Sequence, residues 1–77
     1  MATLLMDFYN AESGVQLTLE WRNEDEYTLG KKFLRSLLGG EVGSSVYEAD
    51  GVPFYYLRND RDLDALLDFR RRLREKQ

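Results

Sequence analysis

The stretch Gly51–Asp64, GVPFYYLRNDRDLD, is the most informative part of the sequence because it joins a turn, a strand and the start of a helix. Successive side chains of a strand point to opposite faces of its sheet. A strand over residues 52–57 would therefore carry Val52, Phe54 and Tyr56 on one face and Pro53, Tyr55 and Leu57 on the other. A sheet with one solvated face normally alternates apolar and polar residues. Apolar residues on both faces predict a strand that is core on one side and contact surface on the other.

The sequence around this stretch predicts two hairpins and two helices. Residues 3–21, TLLMDFYNAESGVQLTLEW, predict a hairpin, because apolar residues alternate with polar ones on either side of the ESG turn signal. Residues 23–40 predict a helix that begins with a capping box of Asn23 and Glu26, or instead with Thr28 as N-cap, and ends at two glycines. Residues 42–59 predict a second hairpin that turns at Asp50 and Gly51. A final helix starts at Asn59 or Asp60.

The order ββαββα predicts an α+β fold of two layers, in one domain covering residues 1–77. We expect a small antiparallel or mixed sheet with both helices on one face. Pro53 has no N–H to donate, so its strand should be an edge strand or leave that side unpaired there.

The helices can cover only one face of the sheet, and that face should form the core. The residues assigned to it are Leu4, Met6, Phe8, Val15, Leu17, Leu19, Trp21, Val52, Phe54 and Tyr56. The opposite face should hold Asp7, Gln16, Thr18 and Glu20 as solvated surface. It should also hold a protein-interaction patch of Leu5, Tyr9, Tyr47, Tyr55 and Leu57. Tyrosine suits an interface because it buries a large area and keeps a polar tip.

The composition argues against catalysis and against cofactors. The chain has no histidine and no cysteine, so a Ser–His nucleophile, a thiolate and the commonest zinc ligands are all missing. No catalytic residue, metal site or cofactor is therefore predicted, and the protein is expected not to be an enzyme. The apolar run near the start is too short for a signal or a membrane span. We expect a cytoplasmic protein.

Charge is distributed unevenly along the chain. Residues 1–69 carry a net charge of −7 and residues 70–77 carry +4. Acidic residues at the predicted helix starts are expected to form a rim around the patch; they are Glu24, Asp25, Glu26, Asp60 and Asp62. The basic tail contains Arg70, Arg71, Arg72 and Arg74. An acidic body makes nucleic-acid binding an unfavourable interpretation.

Residues 46–67, VYEADGVPFYYLRNDRDLDALL, resemble the acidic hairpin-and-helix motif of the Phox/Bem-one ubiquitin-like interaction domains. The residues that fit the motif are Tyr47, Glu48, Asp50, Gly51, Asp60, Asp62 and Leu63. Fitting them requires one extra residue between Gly51 and Leu63. Ala49 and Val52 stand where that family prefers acids. The resemblance implies an acidic strip that docks a basic partner surface.

The sequence thus favours a small non-enzymatic protein that binds another protein, or itself as a homodimer, through the patch. Three alternatives stay open. The first is a phage-type, anti-CRISPR-like inhibitor that uses its acidic surface to block a nucleic-acid-handling protein. The second is a Phox/Bem-one-type interaction domain. The third is a weak nucleic-acid binder that uses the C-terminal arginines.

Overall fold

The predicted order of elements is confirmed. The computed structural model describes residues 4–39 and 47–75, with the backbone alone for residues 47–49. Its elements are β1 (Leu5–Asn10), β2 (Val15–Glu20), α1 (Glu24–Leu38), β3 (Tyr47–Ala49), β4 (Val52–Leu57) and α2 (Asp60–Glu75). The fold is α+β with the order ββαββα.

The four strands form one mixed sheet in the order β2-β1-β4-β3. β1 pairs antiparallel with β2 and parallel with β4, and β3 pairs antiparallel with β4. β4 is therefore a central strand, so of the two alternatives for Pro53 the edge strand is wrong and the unpaired side is correct. The sheet accommodates Pro53 because the parallel pairing with β1 starts one residue later, where Phe54 lies opposite Asp7.

Both helices pack on one face of the sheet, and the core lies between the two layers. Its buried apolar residues are Met6, Phe8, Leu19, Trp21, Leu34, Leu38, Tyr55, Leu57 and Leu66. The helices run antiparallel: Phe33 and Phe69 stack with ring centroids 4.3 Å apart. Arg58, just before α2, donates to the Leu37 carbonyl near the end of α1. Val15, expected in the core, is 48% exposed, because it begins an edge strand.

The predicted orientation of β4 is wrong. Tyr55 and Leu57 are 3% and 0% exposed, whereas Tyr56 is 48% exposed. The pairing with β1 explains the reversal, since Phe8 lies opposite Tyr55 and side chains of paired residues share a face. Phe8 points into the core, so Tyr55 does too, and their rings stack with centroids 5.6 Å apart.

Each helix begins with the same short arrangement. Asn23 is the N-cap of α1, and its side-chain oxygen accepts from the Glu26 backbone N–H at 2.9 Å. Asn59 accepts in the same way from the Asp62 N–H at 2.9 Å. A side-chain cap of this kind is worth about 1 kcal/mol. The predicted asparagine cap of α1 is confirmed. At α2 the sequence allowed Asn59 or Asp60, and the capping residue is Asn59.

Trp21 packs directly against the backbone of α1 at Gly30. A Cβ added to Gly30 would lie 2.7 Å from the Cη2 atom of the Trp21 ring, well inside van der Waals contact. A glycine in a helix interior costs about 1 kcal/mol in propensity. At this position the glycine is required because the buried indole occupies the space that any side chain would need.

Candidate interaction surface

The face of the sheet opposite the helices is not covered by any helix or strand in the described part of the chain. Alternation and the strand register give it these residues: Leu5, Asp7, Tyr9, Gln16, Thr18, Glu20, Val52, Phe54 and Tyr56. None of them belongs to the core cluster or to the partly buried residues packed against it. We call these nine residues the open face. It combines an aromatic and apolar part on β1 and β4 with a polar part on β1 and β2.

The aromatic part is centred on two tyrosines. Tyr9 and Tyr56 lie opposite each other on the central parallel strands, and their rings stack with centroids 5.5 Å apart at an interplanar angle of 30°. Tyr9 is half-buried and Tyr56 is 48% exposed. Leu5, Val52 and Phe54 are also only partly buried. The ring pair thus presents an exposed aromatic surface held in place by its position on two strands.

The polar part is organised by a cross-strand hydrogen bond. The Thr18 hydroxyl donates to the Asp7 carboxylate at 2.6 Å, across the antiparallel pair of β1 and β2. Asp7 is half-buried, and Phe54 lies opposite it on β4. Glu20 lies opposite Leu5 at the end of β2 and is exposed. Carboxylates therefore lie directly beside the aromatic part of the open face.

The structure retains part of the predicted patch. Leu5 and Tyr9 lie on the open face. The side chain of Tyr47 lies outside what the structure describes. Tyr55 and Leu57 are buried in the core, so their assignment to an exposed patch is wrong.

The open face carries Val52, Phe54 and Tyr56 in place of Tyr55 and Leu57. The prediction that Val52, Phe54 and Tyr56 belong to the core is therefore wrong. A signal for the correct orientation was present in the sequence. Trp21 precedes Arg22 and the Asn23 cap, just as Leu57 precedes Arg58 and the Asn59 cap. Trp21 was expected in the core, and the same spacing would have placed Leu57 there too.

The predicted acidic rim does not surround the open face, because its residues belong to the helix layer. Glu24 and Asp25 are exposed in the first turn of α1. Glu26 is 3% exposed, and its carboxylate accepts from the Arg22 backbone N–H at 3.2 Å and from the Arg22 guanidinium at 2.7 Å. Those guanidinium hydrogen bonds lower the pKa of Glu26, against the opposing effect of its burial. Glu26 stabilises a helix start.

The two residues of the predicted rim that lie on α2 also bind groups within the chain. Asp62 is buried, and its carboxylate accepts from Arg58 at 3.1 Å. The Asp60 carboxylate accepts from the buried Asn10 side chain at 2.7 Å. The Glu12 side chain in turn accepts from the Asp60 backbone N–H at 2.7 Å. The two contacts of Asp60 join the first hairpin to the start of α2, whereas Asp62 pairs with Arg58 within the start of α2 itself.

The four arginines of the basic tail bind groups of the protein itself. Arg70 and Arg74 donate to the Glu20 carbonyl at the end of β2, the shortest distance being 2.9 Å. Arg71 pairs with Asp68 and Glu75, and Arg72 pairs with Asp68 at 3.1 Å. The hydrogen bond from Arg71 lowers the pKa of Asp68. Arg70 and Arg74 thereby attach α2 to an edge strand.

Within residues 4–39 and 47–75, no group of three or more acidic side chains is placed to hold a metal ion. In the same ranges, neither helix has the length and hydropathy needed to cross a membrane.

Comparison of the chain with protein-family models, with curated proteins and with solved structures finds no match.

Proposed function

We propose that this chain is a non-enzymatic protein–protein interaction protein that binds its partner through the open face. The observation that carries the proposal is the stacked pair of Tyr9 and Tyr56, which is exposed on the side of the sheet away from both helices. Large tyrosine surfaces with low conformational entropy are favoured in interfaces. Contiguous exposed apolar patches on small proteins commonly serve binding.

The surroundings of the tyrosine pair support the same proposal. Leu5, Val52 and Phe54 extend the apolar surface along β1 and β4, while Gln16, Thr18 and Glu20 provide a polar margin on β2. An apolar centre with a polar margin is the usual anatomy of a protein interface. The absence of cysteine from the sequence is compatible with action in the reducing cytoplasm, which we include in the proposal.

Affinity capture from a lysate of the source cell tests the proposal. The wild-type protein is compared with Tyr56→Asp, which puts a charge at the centre of the apolar surface, and with Leu67→Asp as the matched control. Leu67 is 38% exposed but lies on α2, in the helix layer. We expect a protein captured by the wild type to be lost with Tyr56→Asp and retained with Leu67→Asp.

Circular dichroism must first show that both variants are folded. Equal capture by wild type and Tyr56→Asp, or loss with Leu67→Asp alone, would contradict the proposal. Light scattering on a sizing column shows in parallel whether the partner is a second copy, since a homodimer formed by the open face should become monomeric in Tyr56→Asp.

A further inference from the structure

Charge is segregated between the two layers of the molecule. The two hairpin segments, residues 5–20 and 47–57, contain five Asp or Glu residues and no Lys or Arg. Ten of the eleven Lys and Arg residues lie in 21–39 and 58–75, the segments that form the helices and their caps. The open face therefore belongs to a layer with a net negative charge. Arg70 and Arg74 of α2 reach Glu20 at its β2 edge, which leaves Asp7 as the open-face carboxylate without a cation beside it in the described part of the chain. Such a surface attracts cations and repels anions.

Asp7 is the charged group closest to the centre of the open face. Its described hydrogen-bond partner, the Thr18 hydroxyl, is neutral. Asp7 forms no ion pair with any residue in the described part of the chain. Tyr9 follows two positions later on the same strand and on the same face, roughly 7 Å along the sheet. A cation placed over the tyrosine rings would thus be within reach of the Asp7 carboxylate.

We propose that the open face binds a partner segment in which arginine alternates with apolar residues. An arginine guanidinium would stack on the exposed Tyr9–Tyr56 pair and hydrogen bond to Asp7, while the apolar residues contact Phe54 and its neighbours. Arginine fits better than lysine, because a planar guanidinium stacks on aromatic rings and bonds carboxylates through two N–H groups. The inference rests on the proposed function and adds the chemistry of the partner.

The same charges argue against two other occupants. A second copy packed face to face would place a second set of Asp7 and Glu20 carboxylates in the same interface with no lysine or arginine of the open face to pair with them, and like charges in an interface are unfavourable. A nucleic acid would place its phosphates against the same carboxylates, whereas nucleic-acid sites are normally lined by lysine and arginine.

A titration followed by NMR tests this inference on the full chain labelled with ¹⁵N. The probe is the peptide acetyl-Leu-Arg-Leu-Arg-Leu-amide, and the control peptide carries glutamate in place of both arginines. We expect the arginine peptide to shift the amide signals of Asp7, Tyr9 and Tyr56, and the glutamate peptide to leave them unchanged. Asp7→Asn should weaken binding roughly threefold to tenfold and reduce its dependence on salt.

Three results would overturn the inference. They are no shifts at millimolar arginine peptide, equal binding of the glutamate peptide, and shifts confined to helix-layer acids such as Glu24 and Asp25. The proposed function fails separately, when capture of a cellular partner survives Tyr56→Asp. If capture requires Tyr56 but is unaffected by Asp7→Asn, the open face is an interface and only the arginine chemistry is wrong.

Discussion

Tyr55 and Tyr56 are adjacent in the sequence and chemically identical, yet one is 3% exposed and the other 48% exposed. Each stacks on an aromatic residue of β1, Tyr55 on Phe8 and Tyr56 on Tyr9. The difference is that both helices cover the Tyr55 side of the sheet and leave the Tyr56 side open. The environment of a β4 side chain is therefore set by which face of the sheet the helices cover, and not by its residue type.

Carboxylates on the two sides of the sheet also have different partners. On the covered side, the buried Glu26 and Asp62 carboxylates each bind an arginine four residues earlier in the chain. On the open side, Asp7 binds only a neutral hydroxyl among the described residues. A buried carboxylate requires a partner because leaving it unpaired costs several kcal/mol. A carboxylate that is partly solvated can remain available to a ligand.

The largest expected effect comes from Tyr55→Ala. Truncating this buried ring removes its packing on Phe8 and leaves a cavity, so we expect a loss of about 3–5 kcal/mol in the free energy of unfolding. Urea denaturation followed by fluorescence of Trp21, the single tryptophan, measures it. A loss below about 1 kcal/mol would mean that Tyr55 is not part of the core. If Tyr55→Ala does not fold, Tyr55→Leu gives a smaller but measurable loss.

Gly30→Ala should also destabilise the covered side. The added methyl group would meet the Trp21 ring, and overpacking of this kind costs about 1–3 kcal/mol. Part of that cost is offset by about 1 kcal/mol of helix propensity. Denaturation of the single and double variants checks the mechanism. Combination with Trp21→Phe should reduce the cost, whereas additive effects would show that Trp21 is not the obstacle.

Glu26→Gln should change how stability depends on pH. The folded-state pKa of Glu26 lies below its ordinary value of 4.5, so its stabilising contribution is present at neutral pH and is lost as pH falls below that value. Glu26→Gln weakens the hydrogen bonds that the Arg22 guanidinium donates, because the acceptor is no longer charged. We expect the free energy of unfolding to fall by about 1 kcal/mol at pH 7 and to decrease less steeply between pH 7 and pH 3.

Asp25→Asn is the matched control for this pH profile, because Asp25 neighbours Glu26 but is exposed. Unfolding free energies are compared from pH 7 to pH 3. If Glu26→Gln kept the wild-type pH dependence of the unfolding free energy and Asp25→Asn lost it, the acid sensitivity would belong to Asp25 and the prediction would be wrong.

The smallest expected effect on stability is that of Tyr56→Ala. Its ring is stacked on Tyr9 but half exposed, so we expect a loss of about 1 kcal/mol or less, well below that for the neighbouring tyrosine. The same urea titration measures both variants. Equal losses for Tyr55→Ala and Tyr56→Ala would remove the distinction between the two faces of the sheet.

Local sequence patterns were sufficient to predict the elements and their order. Asn23 with Glu26 indicated the start of α1. The Asn23 side chain accepts from the Glu26 N–H as predicted, whereas the Glu26 carboxylate accepts from the N–H of Arg22, one residue before the N-cap. Asp50 and Gly51 indicated a tight turn, and both have positive φ, 54° and 79°, as such a hairpin turn requires. These predictions succeed because caps and turns depend on residues within a few positions of each other.

The orientation of β4 could not be obtained from the alternation of its own residues. Alternation distinguishes the faces of a strand only when one set of residues is polar, and residues 52–57 are apolar throughout. The spacing shared by Trp21–Asn23 and Leu57–Asn59 was the one local indication of the correct orientation. Because alternation does not distinguish the two faces of β4, the prediction placed Tyr55 and Leu57 at the surface and Tyr56 in the core, which is the reverse of the observed orientation.

The α+β class, the capped helices and the two hairpins can be read from the sequence, because each follows from short-range hydrogen bonding and hydrophobic periodicity. The central position of β4 beside β1, and the orientation of Tyr56 and Tyr9 away from the helices, depend on the three-dimensional packing. That pairing joins residues about 47 positions apart. Its register depends on the packing of the whole core, which no local pattern in an apolar strand specifies.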